Sequence, residues 1–397
     1  MDEGTAVKAG TRQFDRPLFI AVVLLLGFGV VMVYSASAVV ASQVMHDSAF
    51  FLTRQAIYAA IGILAMLIAS RVDYHFYEKI VYPLLGASAV ALVLPHTPLG
   101  LTINGAARWI AVGPITVQPS EIAKVALVLW LSYSLARKTE KIRTFSVGFL
   151  PHIVFPGIMI ALCLTHPDFG TAVVIAALAF ALLFVAGARL GYMLLALIAA
   201  APVAYALVAG SEYRLKRILA FLDPLSNRLD DGYQLSQSMF GFASGGVTGV
   251  GLGDGLQKLL FLPEAHNDFI GAIVAEELGV IGIWSVIAVF AFVVARGIAI
   301  GLKTRDDFGK YVAVGITVLI GAQALANLGV AMGLLPTKGL NLPFVSFGGT
   351  ALIISLYSVG ILLNISRGPA PKAAREEPEA AVNTRRSSTV AAVEATP

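Results

Sequence analysis

Long apolar runs alternate along this chain with short polar turns. The runs fall at about Pro17–Val40, Gln55–Ser70, Ile80–Leu94, Ile122–Leu135, Gly148–Leu164, Gly170–Ala186, Tyr192–Ala209, Phe269–Ala295, Tyr311–Leu334 and Thr350–Leu363. Each is close to the roughly 20 residues that carry a helix across a bilayer. The pattern predicts an all-α polytopic membrane protein with about ten transmembrane helices. Between the seventh and eighth runs the chain leaves the apolar regime, so residues 210–267 read as one large extracytoplasmic loop. No internal repeat or half-chain symmetry is visible.

Charge orients the spans. The arm before Pro17, the turns Arg71–Lys79 and Arg137–Arg143, Arg189, and Arg296–Lys310 all fall on one side. Lys and Arg in short loops mark the cytoplasmic side, so both termini should be cytoplasmic. The loops 41–54, 96–120, 165–169, 210–267 and 335–349 then face outward. Three regions follow: a cytoplasmic arm (1–16), a membrane-embedded domain (17–366), and a tail (367–397) rich in Ala, Pro, Glu and Arg without apolar periodicity, expected to be disordered. The first run is too long for a cleavable signal peptide and should stay as an anchor.

Composition agrees and excludes other classes. Hydrophobic residues make up 57% of the chain and charged residues 13%, which no soluble domain matches. A net charge of +4 is too small to imply nucleic acid. The single cysteine, Cys163, lies in an apolar run and rules out a disulfide framework.

The unusual polar residues collect on the outward side. FLPEAHNDFIGAIVAEELG places Glu264, His266 and Asp268 just before the eighth span. Asn267 and Asp268 suit a helix start, and Glu276 and Glu277 follow about two turns later, inside the hydrocarbon, where carboxylates are costly. A helix cap with a structural ion pair would also explain single members of this set. The loop before the fourth span adds Asn104, Arg108, Trp109, Gln118 and Ser120, with Glu121 and Lys124 sharing a helix face. A tight turn adds His166 and Asp168. In SEYRLKRILAFLDP, Arg214, Lys216 and Arg217 lie on an amphipathic, interfacial pattern. They could meet anionic headgroups or grip a phosphorylated ligand. GYQLSQS contributes Gln234, and Lys338 is a lone cation in a Gly/Pro loop. GVTGVGLGDG is not a nucleotide loop, because no strand precedes it and no GK[ST] follows; turn or re-entrant backbone fits better. The residues therefore suggest an outward pocket of carboxylates and cations, suited to a ligand that is part lipid and part diphosphate. Transfer of a group off a diphosphate needs cations for the leaving group and a base for the attacking hydroxyl. Asp268 suits the second role. Arg108, Lys124, Arg214, Arg217 and Lys338 suit the first. A divalent cation, Mg or Mn, is compatible with such carboxylates, but no spacing demands one.

NGAARWI, QPSE with Lys124, HPDFGT, YRLKR…FLDP…GYQ, LPEAHNDFI…EELG and PTKGLNLPFVSFGG occur in this order and together resemble the SEDS family of bacterial cell-wall proteins. The resemblance spans about residues 15–366. LPEAHNDFI and PTKGLNLPF look more like the cell-division branch than the elongation branch, which carries Arg at the position of Ala265 and lacks the Lys of position 338. The resemblance implies a peptidoglycan glycosyltransferase. It would polymerise lipid II at the outer face of the bacterial cytoplasmic membrane, at the division septum, and release undecaprenyl diphosphate. It implies Asp268 as the essential catalytic carboxylate. It implies substrate contacts from Arg108, Lys124, Arg214, Arg217, Gln234, Glu264, His266 and Lys338, with Glu121, Asp168 and Glu277 in support. It also implies a class B penicillin-binding protein and other divisome proteins as partners. His166 replaces the usual Gln, and Phe347 and Thr350 replace Tyr and Ser, without loss of an ionisable group. A lipid II flippase and a structural divisome component are the competing readings. A flippase should carry polar groups through the middle of the spans, where only Glu276 and Glu277 stand out.

Overall fold

The apolar runs fold as helices with boundaries set by the polar turns. The computed structural model describes residues 14–368 except 104, 105, 114 and 231. Most of the expected arm, the expected tail from 369, and Asn104 therefore lie outside the described residues. Ten helices fall on the ten predicted runs: α1 (Arg16–Val44), α2 (Phe50–Ala69), α3 (Phe76–Val93), α4 (Pro119–Arg137), α5 (Pro151–Thr165), α6 (Phe169–Val185), α7 (Leu190–Ala209), α10 (Ile270–Lys303), α11 (Asp307–Ala331) and α12 (Gly349–Ser366). Eight of the described helices are long and apolar enough to cross a membrane. The other two, α4 and α6, have a physical reason to differ. Helix α6 is apolar but only 17 residues long. Helix α4 carries Glu121 and Lys124 and is buried on nearly all faces, so it need not present apolar surface to lipid.

The core forms where α4, α6, α10, α11 and α12 meet. Helix α11 is its centre, with most of its residues buried. Helix α7 is the opposite case: Met193 alone among its residues is buried. At the end of the bundle where α1 begins, Asp15 caps α1 through Leu18 N (2.9 Å) and pairs with Arg296 of α10. Tyr74 donates to Asp306 between the α2–α3 and α10–α11 turns.

Two segments depart from the expected loops. Residues 96–120 hold a three-stranded antiparallel sheet: β1 (Gly100–Ile103), β2 (Ala106–Val112) and β3 (Ile115–Val117), in the order β1-β2-β3. Leu101 pairs with Trp109 and Thr102 with Ala107, so Arg108 is the extra residue of a β-bulge. Bulges re-aim side chains beside functional sites. The second departure is the large loop at 210–267. It is mostly ordered structure: α8 (Glu212–Leu222), α9 (Tyr233–Gly245) packed on α10, and a wide turn at Gln257–Phe261.

The Gly-rich stretch between α9 and that turn is spliced into α10. Gly279 adopts φ 65°, ψ −163° and interrupts the helix. In an unbroken helix Val280 N and Ile281 N would donate to Glu276 O and Glu277 O. Here they donate to Gly246 O (3.0 Å) and Val247 O (3.2 Å), while Glu276 O and Glu277 O accept from Val250 N (3.0 Å) and Gly251 N (3.1 Å). These four groups are thus re-paired, as a low-dielectric surrounding requires. A side chain at Gly279 would collide with Val247 O and Gly249 N.

Candidate functional site

Four segments converge at one end of the bundle. The turn before α10 is shaped by Glu264, a non-glycine residue at φ 55°, whose carbonyl accepts from Asn267 N at 3.1 Å. Asn327 of α11, 1% exposed, donates to Asp268 O (2.9 Å) and Leu340 O (2.5 Å). It thereby joins the α10 entrance to the α11–α12 loop. Phe347 N donates to His266 O at 3.0 Å and adds a second tie. A Cβ at Gly339 would lie 3.0 Å from Asp268 Oδ2 and 3.5 Å from Arg108 Nη1. Both groups therefore approach the same bare backbone, and a side chain there would press on Asp268.

Asp268 borders a polar cavity, together with Arg108, Glu121, Arg217, Gln234, Glu264 and Lys338. Burial, reinforced by Glu264, raises the Asp268 carboxyl from 3.8 to about 7, against the opposing pull of Arg108 and Arg217. A second, more apolar cavity adjoins it and is lined by Asp168, Phe169, Val208, Arg214 and Ile218. The two cavities share Arg108, Arg217, Thr337, Lys338 and Gly339 as a cationic wall.

Each cation of that wall is held. Arg108 donates from Nε to His166 O (3.1 Å) and from Nη2 to Pro167 O (2.6 Å). Arg217 donates to Thr337 O at 3.3 Å, and Arg214 to Leu207 O at 2.8 Å. Lys338 lies 5.0 Å from the Phe169 ring centroid, and burial lowers its pKa. The ammonium thus sits on the negative face of a π system.

The remaining residues singled out in the sequence support this wall or lie away from it. Asp168 caps α6 by accepting from Thr171 N (3.0 Å) and Thr171 Oγ1 (2.8 Å). Glu121 and Lys124 form a 2.8 Å ion pair; Glu121 borders the polar cavity while Lys124 is 0% exposed behind it. Removing one charge from such a pair strands the other, at a cost of about 3–5 kcal/mol. Lys124→Met is therefore expected to lower the yield of folded protein, measured by detergent size-exclusion chromatography, more than the double change Glu121→Leu/Lys124→Met. His266 packs its ring against Phe51 and Phe347 at 4.4 and 5.7 Å, and burial lowers its pKa despite Glu264. Glu277 is elsewhere: it pairs with Lys258 at 2.7 Å and accepts from Ser35.

Sequence reasoning passed over Asn327, Phe169 and Lys258. Asn327 had a signal, an amide inside an apolar run, which is costly unless hydrogen-bonded. Phe169 had none, because an aromatic at a helix start is ordinary in a membrane protein. Among the described residues no three His, Cys, Asp or Glu side chains group to hold a metal ion. Glu264 and Asp268 border the same cavity and could offer oxygen ligands to a divalent cation that a diphosphate also binds.

The chain matches the family model described as cell cycle protein, FtsW/RodA/SpoVE, over residues 16–369. It belongs to that family. It is 45% identical to the probable peptidoglycan glycosyltransferase FtsW of Geobacter metallireducens, over 89% of this chain and 95% of that one. Its fold is similar to a chain of a peptidoglycan synthase complex that coordinates polymerization and crosslinking, with TM-score 0.74 and 28% identity over 89% of this chain and 98% of that chain. It is also similar to the rod shape determining protein RodA of Thermus thermophilus, with TM-score 0.65 and 26% identity over 89% and 97%. Family membership and the long apolar helices make it a multi-pass membrane protein. Of these, the FtsW-named relative is the nearer in sequence.

Proposed function

We propose that the protein is a peptidoglycan glycosyltransferase of the cell-division type, which polymerises lipid II at the outer face of the bacterial cytoplasmic membrane. The observation that carries this reading is the shared cationic wall between a polar cavity with a carboxylate and an apolar cavity beside α7. A lipid-linked sugar diphosphate has those same three parts. In this reading the apolar cavity receives the start of the donor's polyprenyl chain. Arg108, Arg217 and Lys338 face the diphosphate, with Arg214 and Gln234 beside it. The acceptor sugar occupies the polar cavity.

Asp268 then takes the proton of the acceptor 4-hydroxyl as its oxygen attacks the donor's anomeric carbon. The bond from that carbon to the diphosphate oxygen breaks, and undecaprenyl diphosphate leaves with the electron pair. Fixed cations favour this step because negative charge grows on the diphosphate as the bond breaks. A carboxyl near pKa 7 is well matched to accept a proton at neutral pH. The partner in this reading is a transpeptidase of the class B penicillin-binding type, by likeness to the synthase complex, with other septal proteins around it. Both termini are cytoplasmic, α4 and α6 complete ten spans, and the site opens outward.

The test supplies labelled lipid II to the purified protein with its transpeptidase. Glycan chains longer than the starting disaccharide are expected. Movement of lipid II between vesicle leaflets without any glycan would replace this reading by the flippase one. Binding to the partner without either activity would leave a structural component.

A further inference from the structure

The splice in α10 has a charged fastening. Lys258 Nζ lies 2.7 Å from Glu277 Oε1 and 3.3 Å from Ser35 Oγ, and Ser35 in turn donates to Glu277 at 2.7 Å. Lys258 and Glu277 are 6% and 0% exposed. The neighbouring Glu276 carboxylate accepts from Leu256 N (2.8 Å) and Gln257 N (3.1 Å), so it ends the Gly-rich stretch at a fixed point. Gly255 lets this happen: a Cβ there would lie 2.7 Å from Glu276 Oε2. None of these residues borders the cavities described above.

The position of this node along the chain is what matters. The chain leaves it at Lys258, turns through residues 262–268, and returns to it at Glu277. Asp268 lies inside that closed loop. The return path, Ile270 to Glu277, is a half-helix cut off from the rest of α10 at Gly279. The outgoing path contains two non-glycine residues in left-handed conformation, Leu260 (φ 71°) and Glu264 (φ 55°). Such residues persist only where their surroundings hold them. Ser35 belongs to α1, so the loop's ends are moored to the bundle as well as to each other.

We propose that Lys258 and Glu277, moored by Ser35, are positioning residues that hold the turn carrying Asp268 in register with the cationic wall. They touch no substrate and act through the closed loop. A buried ion pair is a poor source of net stability, and in this proposal its role is to specify one arrangement against others. An apolar pair would pack here without fixing the slide of the Gly-rich stretch along α10. The proposal rests on the polymerase reading for its kinetic consequence.

The test uses the full chain with its transpeptidase partner. It compares Glu277→Gln, Lys258→Met/Glu277→Met and the exchange Lys258→Glu/Glu277→Lys with wild type. Three quantities are read: kcat and KM for lipid II, the acid limb of the pH–rate profile, and amide hydrogen exchange across residues 245–268. Loss of the fastening should lower kcat by about 10²-fold, the cost of a misplaced reacting group, with KM little changed. The acid limb should move, because the surroundings of Asp268 change, and exchange at Val250 and Gly251 should quicken. The exchange variant should recover part of kcat. The double Met variant keeps the fold without a stranded charge, so it separates positioning from collapse. Wild-type kcat, acid limb and exchange in the double Met variant would overturn the proposal. So would a loss of kcat that merely follows the folded fraction. If wild type itself makes no glycan, the polymerase reading fails. Unchanged exchange would then still refute the fastening, and quickened exchange would uphold it.

Discussion

Asp268→Asn is expected to abolish glycan polymerisation, lowering kcat by about 10²–10⁴-fold, the usual worth of a general base. Asparagine keeps the size and the backbone ties to Asn327, so the turn before α10 should stay in place. KM for lipid II and co-purification with the transpeptidase should hold at wild-type values. The pH dependence gives a second signature. The carboxyl is raised to about 7 chiefly by burial and Glu264, so wild-type rate should climb with pH to a midpoint near 7 and then level.

The same shift has a stability consequence of definite sign. The folded carboxyl binds a proton more tightly than the unfolded one, whose ordinary value is 3.8. Folding is therefore favoured below 3.8, and that advantage is lost as pH rises toward 7. Asparagine carries no such loss. The Asn variant should melt above wild type at pH 8 and approach it at pH 5, measured by thermal unfolding in detergent. Equal melting at both values would mean that Asp268 is not the buried acid described here, whatever the activity.

Spans were legible because lipid imposes a simple rule: a helix facing hydrocarbon must be apolar for about 20 residues. All ten long helices sit on the predicted runs, including α4, whose Glu121 and Lys124 are tolerated only because they face each other inside the bundle. The polar cluster at one end of the bundle was legible for the converse reason, since charges near a membrane are dear and rarely idle. What was not legible depends on pairing between distant segments. NGAARWIAVGPITV carries no strong strand alternation, and its sheet forms because one hairpin can satisfy its own backbone against another. GVTGVGLGDG reads as a turn or re-entrant backbone, and nothing local says that its partner is the backbone of α10 on either side of Gly279. Glu277 was grouped with Asp268 by nearness in sequence. A helix carries it about 13 Å away in nine residues, toward a lysine that looked like one more loop residue.

Arg108→Ala is expected to cost about 10²–10³-fold in kcat/KM, the range for removing one fixed donor from a developing anion. The argument begins with the bulge. A regular β2 would have no extra residue at 108, and the side chain would alternate with its neighbours across the sheet; the bulge frees it from that alternation. The guanidinium then meets two demands at once. Nε and Nη2 hold the His166 and Pro167 carbonyls, and Nη1 is the atom near Gly339 and Asp268. Alanine loses the cation and releases the turn that leads into α6. Lysine restores charge but has no planar fork to hold two adjacent carbonyls while pointing a third donor into the cavity. Arg108→Lys should therefore stay within about tenfold of Ala, because at a forked site the geometry of the donors outweighs the charge. Near-complete rescue by lysine would show that position 108 supplies charge alone. Its role would then be the same as that of Arg217 and Lys338, which line the same wall without the bulge.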